Sequence, residues 1–334
     1  MHWRDIDDDT WEGLTVTLTR DDVPAHPRWT TDIVRPGRVR ITAGDAARWW
    51  ARQARDLSSV ALLRGAPMTH DDAVVRPITR DDLNAVTASP GTIAWWRAWS
   101  LWFLDAMVAS GRSPLRPGQW WIAPLDCRDL ASQPVVDRVV RRATLPPRWD
   151  TARTRITHTQ GPAWTEDLWD ENWYPSGSGG LLPLRRPSPP GSGRVKSWRK
   201  RAREGTLPPV LVHAVIALDM FVLLDGHDRF AAAVAEEVPV PWLHVSGLTF
   251  TPRRIDPGLQ AVVAREVERL MTLVPAVPSA SINALCANAF DDRPWPSRVC
   301  FGRPLAGGVR QWDQEVTRRL AALGLSERGA DLFA

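Results

Sequence analysis

Thr206–Val245 reads TLPPVLVHAVIALDMFVLLDGHDRFAAAVAEEVPVPWLHV, and the fold is decided there. Val210–Val215 predicts a strand and Phe221–Leu224 a second, and the short Ala217–Met220 connection fits a hairpin. Asp225-Gly226 is a turn signal. Phe230, Ala233 and Val234 then follow at helical spacing, and Val238-Pro239 stops that helix. Val240–Val245 predicts a third strand. Hairpin, tight turn, helix and strand in one stretch indicate an α/β fold class of mixed α+β character.

The turn carries the chemistry. Leu224-Asp225-Gly226-His227-Asp228-Arg229 sits where an apolar strand gives way to a helix. The first amides of a helix lack internal partners, and the helix dipole favours an anion beside them. Gly226 lets backbone approach a ligand closely, and Arg229 offers a forked donor suited to phosphate. His227 can donate a hydrogen bond or relay a proton near neutral pH. Asp225 can orient a hydroxyl, accept its proton or, with Asp228, help hold a divalent cation. The plain alternative is an ordinary Asp-Gly turn, with Asp228 as a helix cap and Arg229 on the surface.

Upstream, PSGSGG and PLRRPSPPGSGR predict an extended or flexible loop over Pro187–Gly193. Arg185–Arg203 then holds Arg185, Arg186, Arg194, Lys196, Arg199, Lys200, Arg201 and Arg203 with no acid. The spacing within Arg194–Arg203 fits a short basic helix with Trp198 as its aromatic. Such a helix extends phosphate binding, contacts a nucleic-acid backbone, or is simply a solvated face. His213 and His244 fall on predicted strands and read as ordinary strand residues, because their spacing from His227 carries no metal-ligand signature.

The pattern G-x-L-P-P-V-L-V, F-V-L-L-D-G-H-D-R-F-A-A-A and V-P-V-P resembles the ParB/sulfiredoxin-like family over about residues 195–245. That resemblance implies a G-x-x-R phosphate loop in which Gly226 and Arg229 match, with His227 and Asp228 in the two variable places. The D-G-H-D-R form is closest to the D-G-H-H-R form of the small-molecule kinase branch. It implies a nucleotide cofactor (ATP, ADP or CTP) with Mg²⁺, and phosphoryl transfer to a small hydroxyl substrate or nucleotide hydrolysis. The departures matter too. Sulfiredoxins carry their reactive cysteine where His227 stands. Partitioning proteins carry a carboxylate there and a helix-turn-helix downstream. Asp228 is an awkward neighbour for phosphate unless a metal intervenes or it points away.

Outside this block, Leu14–Thr19 predicts a strand, Asp45–Asp56 a helix, and Ile93–Ala109 a strongly apolar core helix with Trp95, Trp99 and Trp102 on one face. Residues 1–150 therefore read as a Trp-rich, mainly helical region, residues 151–250 as the nucleotide-binding core, and residues 251–334 as a C-terminal helical region. In the last, Leu259–Met271, Ala280–Phe290 and Val309–Leu323 are helices separated by a Pro-interrupted loop, Asp291–Arg303. Trp164–Tyr174 combines Glu166, Asp167, Asp170 and Glu171 with aromatics and reads as a surface segment or a cap on the pocket.

The 334 residues hold 44% apolar and 24% charged side chains, enough for a large core without disulfides. The three cysteines, Cys127, Cys286 and Cys300, are too scattered for a disulfide framework, although Cys286 and Cys300 could pair. No stretch has the length and apolarity of a membrane span, and the acidic N-terminus lacks a signal segment, so a cytoplasmic protein with no membrane partner is expected. All but Lys196 and Lys200 of the 42 basic residues are arginine, so local clustering, not the net charge of +4, bears on nucleic acid. Three functions are left: a nucleotide-dependent enzyme using Asp225 or His227 as base, a DNA- or RNA-binding protein or nuclease using the 185–203 segment, and a non-catalytic adaptor with a protein partner. The first requires Arg229 to point into a hollow.

Overall fold

A computed structural model of the chain describes residues 1–8, 10–23, 28–34, 37–53, 59–69, 71–125, 169–175, 181–218, 220–251, 256–273, 279–290, 295–299 and 301–326. In chain order, the first elements are β1 (His2–Asp8), β2 (Thr10–Leu18), β3 (Trp29–Val34), β4 (Arg38–Ala43), β5 (Ala46–Gln53) and β6 (Ser59–Arg64). Next come α1 (Arg80–Ala85), α2 (Ile93–Ser110), β7 (Gly118–Leu125), β8 (Trp169–Pro175), β9 (Leu181–Pro183) and α3 (Gly193–Arg203). The expected hairpin, helix and strand follow as β10 (Val210–Val215), β11 (Met220–Asp225), α4 (His227–Ala235) and β12 (Trp242–Thr251). The chain continues through α5 (Pro257–Leu273), α6 (Ser279–Phe290), β13 (Trp295–Val299), β14 (Gly302–Pro304) and α7 (Gly308–Ala322).

β10 and β11 are buried at every position because both faces of their sheet are covered, which is why their sequences show no alternation of polarity. Leu211, Val215, Val222 and Leu224 enter one core, while Val210, Val212, Phe221 and Leu223 enter another on the opposite face. β10 runs antiparallel to β11 and parallel to β12, and β9 adds parallel to β11. The sheet order is β1-β2-β7-β12-β10-β11-β9. Strands from the first 127 residues thus share a sheet with the 206–245 block.

A second sheet has the order β14-β3-β4-β5-β6-β8. Its existence corrects the expectation of a mainly helical N-terminal region. β5 occupies most of Asp45–Asp56, which has helix-forming Ala, Arg and Gln. The reason is the doubled tryptophan: adjacent strand residues face opposite ways. Trp49 enters the main core with Val39, Ile41, Val60 and Leu62, and Trp50 enters a second core against α7. No helix could bury both rings against two layers. The expected helix at 93–109 is present as α2, capped by the Thr92 hydroxyl and ended by Gly111 in the left-handed region at φ 61°.

The C-terminal helices separate. Trp312, Val316 and Leu320 of α7 pack on Val34, Trp50 and Leu63. Arg40 bridges Asp32 and Glu315 beneath that helix. The chain divides into two compact units: Met1–Cys127, Arg155–Gly247 and Val299–Ala334 form one, and Arg128–Thr154 with Leu248–Arg298 form the other. α5 and α6 belong to the second, where the Gln260 side chain donates to the Ala289 carbonyl. Asp291–Arg303, expected as loop, contains β13 and the start of β14. Of Trp164–Tyr174, residues 164–168 lie outside the described residues and the rest forms β8. Cys127 and Cys300 also lie outside them, and Cys286 is a half-buried free thiol. Among the described residues no helix is long and apolar enough to cross a membrane.

Candidate functional site

The turn after β11 forms as expected. Gly226 takes φ 95°, a left-handed conformation that side-chain-bearing residues rarely adopt, and α4 begins at His227 with no side-chain cap. What fills the space beside the glycine is the protein itself. A Cβ at Gly226 would lie 2.9 Å from Arg229 Nη2 and 3.2 Å from the Val210 Cα. The close approach that glycine permits is therefore used by the arginine's own guanidinium.

Arg229 is 1% exposed. Its Nη2 donates to Asp225 Oδ2 at 2.7 Å and to the Pro209 carbonyl at 2.9 Å. The guanidinium carbon lies 5.6 Å from the ring of Trp198 and 6.0 Å from that of Phe103. Its Nε finds no partner among the described residues. Arg229 thus points inward, into an ion pair roofed by aromatic rings, and not into an open hollow. The expected base, Asp225, is the other half of that pair.

Asp228 turns the other way and is equally sealed, at 1% exposed. It accepts from the Ser188 amide at 2.7 Å and pairs with Arg194 at 2.8 Å and Arg185 at 3.4 Å. Burial raises its pKa, but the Ser188 amide and the two guanidinium groups outweigh burial and hold it below the ordinary carboxylate value. The Pro-rich segment, expected as an extended or flexible loop, is held to α4 at Ser188. His227 Nε2 accepts from the amides of Leu184 at 3.1 Å and Arg185 at 3.2 Å, which uses the lone pair a general base would need. Asp225 and Asp228 do not converge, and among the described residues no group of three or more His, Cys, Asp or Glu could hold a metal.

His213 and His244 are strand residues, as expected. The His213 Nδ1–H donates to the Val245 carbonyl at 3.0 Å, and His244 Nδ1 stands 3.0 Å from the Ala123 carbonyl. Burial pushes the His213 pKa down to about 4.

The basic segment forms α3, capped by Ser192. It splits by partner. Arg194 is spent on Asp228; Arg199 and Arg203 share the single carboxylate of Glu236, whose pKa those two arginines lower. Lys200 stands 3.8 Å from Glu204. Lys196 and Arg201 make no ion pair with a described residue. The partners of Asp228 and Glu236 were not read from the sequence. The one local signal was Asp225 and Arg229 themselves: opposite charges four apart, flanked by apolar residues.

Comparisons with family models, with curated proteins and with solved structures returned no match.

Proposed function

We propose that this chain is a ParB/sulfiredoxin-like protein in which the phosphate loop serves as a structural node, and that it binds nucleic acid through the phosphate backbone using α3. The observation that carries this reading is the partition of charge around α3. The six cations of α3, Arg194, Lys196, Arg199, Lys200, Arg201 and Arg203, meet three carboxylates among the described residues, Asp228, Glu236 and Glu204, which supports a net positive helix. Meanwhile the groups that a nucleotide-dependent enzyme would need are engaged with one another: Asp225 with Arg229, His227 with two amides, Asp228 with Ser188 and Arg194. Phosphoryl transfer to a small hydroxyl substrate rests on those same groups and is the weaker reading.

Titration of the intrinsic tryptophan fluorescence with ATP, ADP, CTP and an oligonucleotide, with and without Mg²⁺, separates the two. The expected result is oligonucleotide binding that weakens steeply with salt, with a slope of roughly one unit per phosphate contacted, and no nucleotide binding at micromolar concentration. Saturable ATP or CTP binding lost in Arg229→Lys would overturn the proposal in favour of the enzyme. Oligonucleotide binding insensitive to salt would remove the role of α3.

A further inference from the structure

A cleft of about 470 Å³ opens between α1 and α3. Arg80 lines it from α1, and Lys200 and Arg201 line it from α3, with Glu204 as the one carboxylate among them. The two helices are more than a hundred residues apart in sequence, so the convergence of cations is made by the fold and not by one charged run. Glu204 stands 3.8 Å from Lys200, while Arg80 and Arg201 make no ion pair with a described residue.

Stability does not explain where these two arginines stand. Arg80 is exposed and opens α1, the end of a helix where a cation opposes the dipole. Arg201 is half-buried, so its charge is partly desolvated and no carboxylate answers it. Arg76, just before α1, shows the contrast. Its guanidinium holds both oxygens of Asp82, at 2.6 and 2.7 Å, and lies 4.8 Å from the Trp102 ring.

The cleft presents no face on which a base could stack. Trp198 is 6% exposed, and its ring lies against the Arg229 guanidinium. What the concavity offers is charge. Like cations along one wall repel each other, and an anion seated among them relieves that repulsion where the concave surface focuses the field.

We propose that this cleft seats one backbone phosphate of the bound nucleic acid, with Arg80 of α1 as a binding residue beside Lys200 and Arg201. The proposal rests on the nucleic-acid reading above and adds a second element to the α3 surface. A contact of this kind positions the chain on its ligand and carries no information about the base.

The test follows the affinity of a labelled oligonucleotide against salt by fluorescence anisotropy. The proteins are the full chain, Arg80→Ala, Arg80→Lys and Arg76→Ala. Arg80→Ala should weaken binding by the same factor for oligonucleotides of unrelated sequence, and lower the slope of log affinity against log salt by about one unit. It should melt at the wild-type temperature, because no partner is left behind. Arg80→Lys keeps the charge and should keep the slope. Arg76→Ala removes the same formal charge outside the cleft and should leave the slope nearly unchanged. An equal loss of slope in Arg80→Ala and Arg76→Ala would be a response to net charge alone, and it overturns the proposal. An unchanged slope in Arg80→Ala does the same, and the α3 reading stands in either case. Inorganic pyrophosphate is the second probe. If it binds the full chain and is lost in Arg80→Ala while oligonucleotide binding is kept, the cleft holds a free phosphate and the backbone contact is overturned. Absence of oligonucleotide binding by the full chain overturns both readings.

Discussion

Trp198 belongs to two regions that treat charge in opposite ways. Beside it, the Asp225–Arg229 pair is sealed under aromatic rings. It also lines the cleft where Arg80, Lys200 and Arg201 meet water with one carboxylate among them. In the sealed region a cation must be matched, because an unpaired charge in a low-dielectric interior costs several kcal/mol. In the open region water solvates an excess cation, which then remains available to a ligand. The same residue types therefore do structural work in one place and are left to solvent in the other.

The comparison breaks most visibly at Arg229. Arg229→Ala strands the Asp225 carboxylate and is expected to cost about 3–5 kcal/mol by urea denaturation, as is Asp225→Ala for the converse reason. Replacing both at once, Asp225→Leu with Arg229→Met, should recover most of that loss, since no buried charge is left without its partner. If the single variants lose less than about 1 kcal/mol, the pair is not the structural node described here.

His213 sharpens the same point with a proton. Its folded-state pKa of about 4 lies below the ordinary 6.5, so the folded protein resists a proton that the unfolded chain accepts. Its contribution is complete above about pH 6.5, declines as the pH falls from there toward 4, and is constant below. Over that window about 3 kcal/mol is lost. His213→Gln should flatten the dependence of the unfolding free energy on pH between 6.5 and 4. An unchanged slope would mean that the imidazole is hydrated and titrates normally.

The sealed region was half legible in the sequence, and the open one hardly at all. The hairpin, turn and helix of 206–235 could be read because each signal is local: an uninterrupted apolar run, Asp-Gly, then helical spacing. The strand at 46–53 could not, since Ala, Arg and Gln pull toward helix, and only the two cores on either side of Trp49 and Trp50 decide otherwise. Asp225-Gly226-His227-Asp228-Arg229 was read as a phosphate loop, but the direction of its side chains depends on residues far off. Ser188 and Arg185 take Asp228, Leu184 takes His227, and Phe103 covers Arg229. The cleft requires α1 to meet α3 across more than a hundred residues, and no periodicity encodes that.

Asp228 joins the sealed node to the Pro-rich segment, and its effect should be intermediate. Asp228→Asn keeps the volume and one acceptor but loses the charge that holds Arg185 and Arg194. A loss of about 1–3 kcal/mol is expected, with faster hydrogen exchange at the Ser188 amide. The carboxyl pKa is held below its ordinary value, so its contribution is complete above about pH 4 and lost as the pH falls through the depressed folded value. Wild-type exchange at Ser188 in the variant would show that the segment is held elsewhere.

The smallest effect on stability, and the finest contrast, comes from two neighbours on α3. Arg194 is tied to Asp228, whereas Lys196, two residues on, is exposed and makes no ion pair with a described residue. Lys196→Ala should change the unfolding free energy by less than about 0.5 kcal/mol, because no partner is left behind. Its effect should appear only in binding, as a reduction of about one unit in the slope of log affinity against log salt. Arg194→Ala should do the reverse, lowering stability while leaving that slope nearly intact, since its charge is already neutralised within the fold. If the two variants exchanged these outcomes, the cation facing the ligand would be the one beside Asp228, and the node would have to be reconsidered as part of the binding surface.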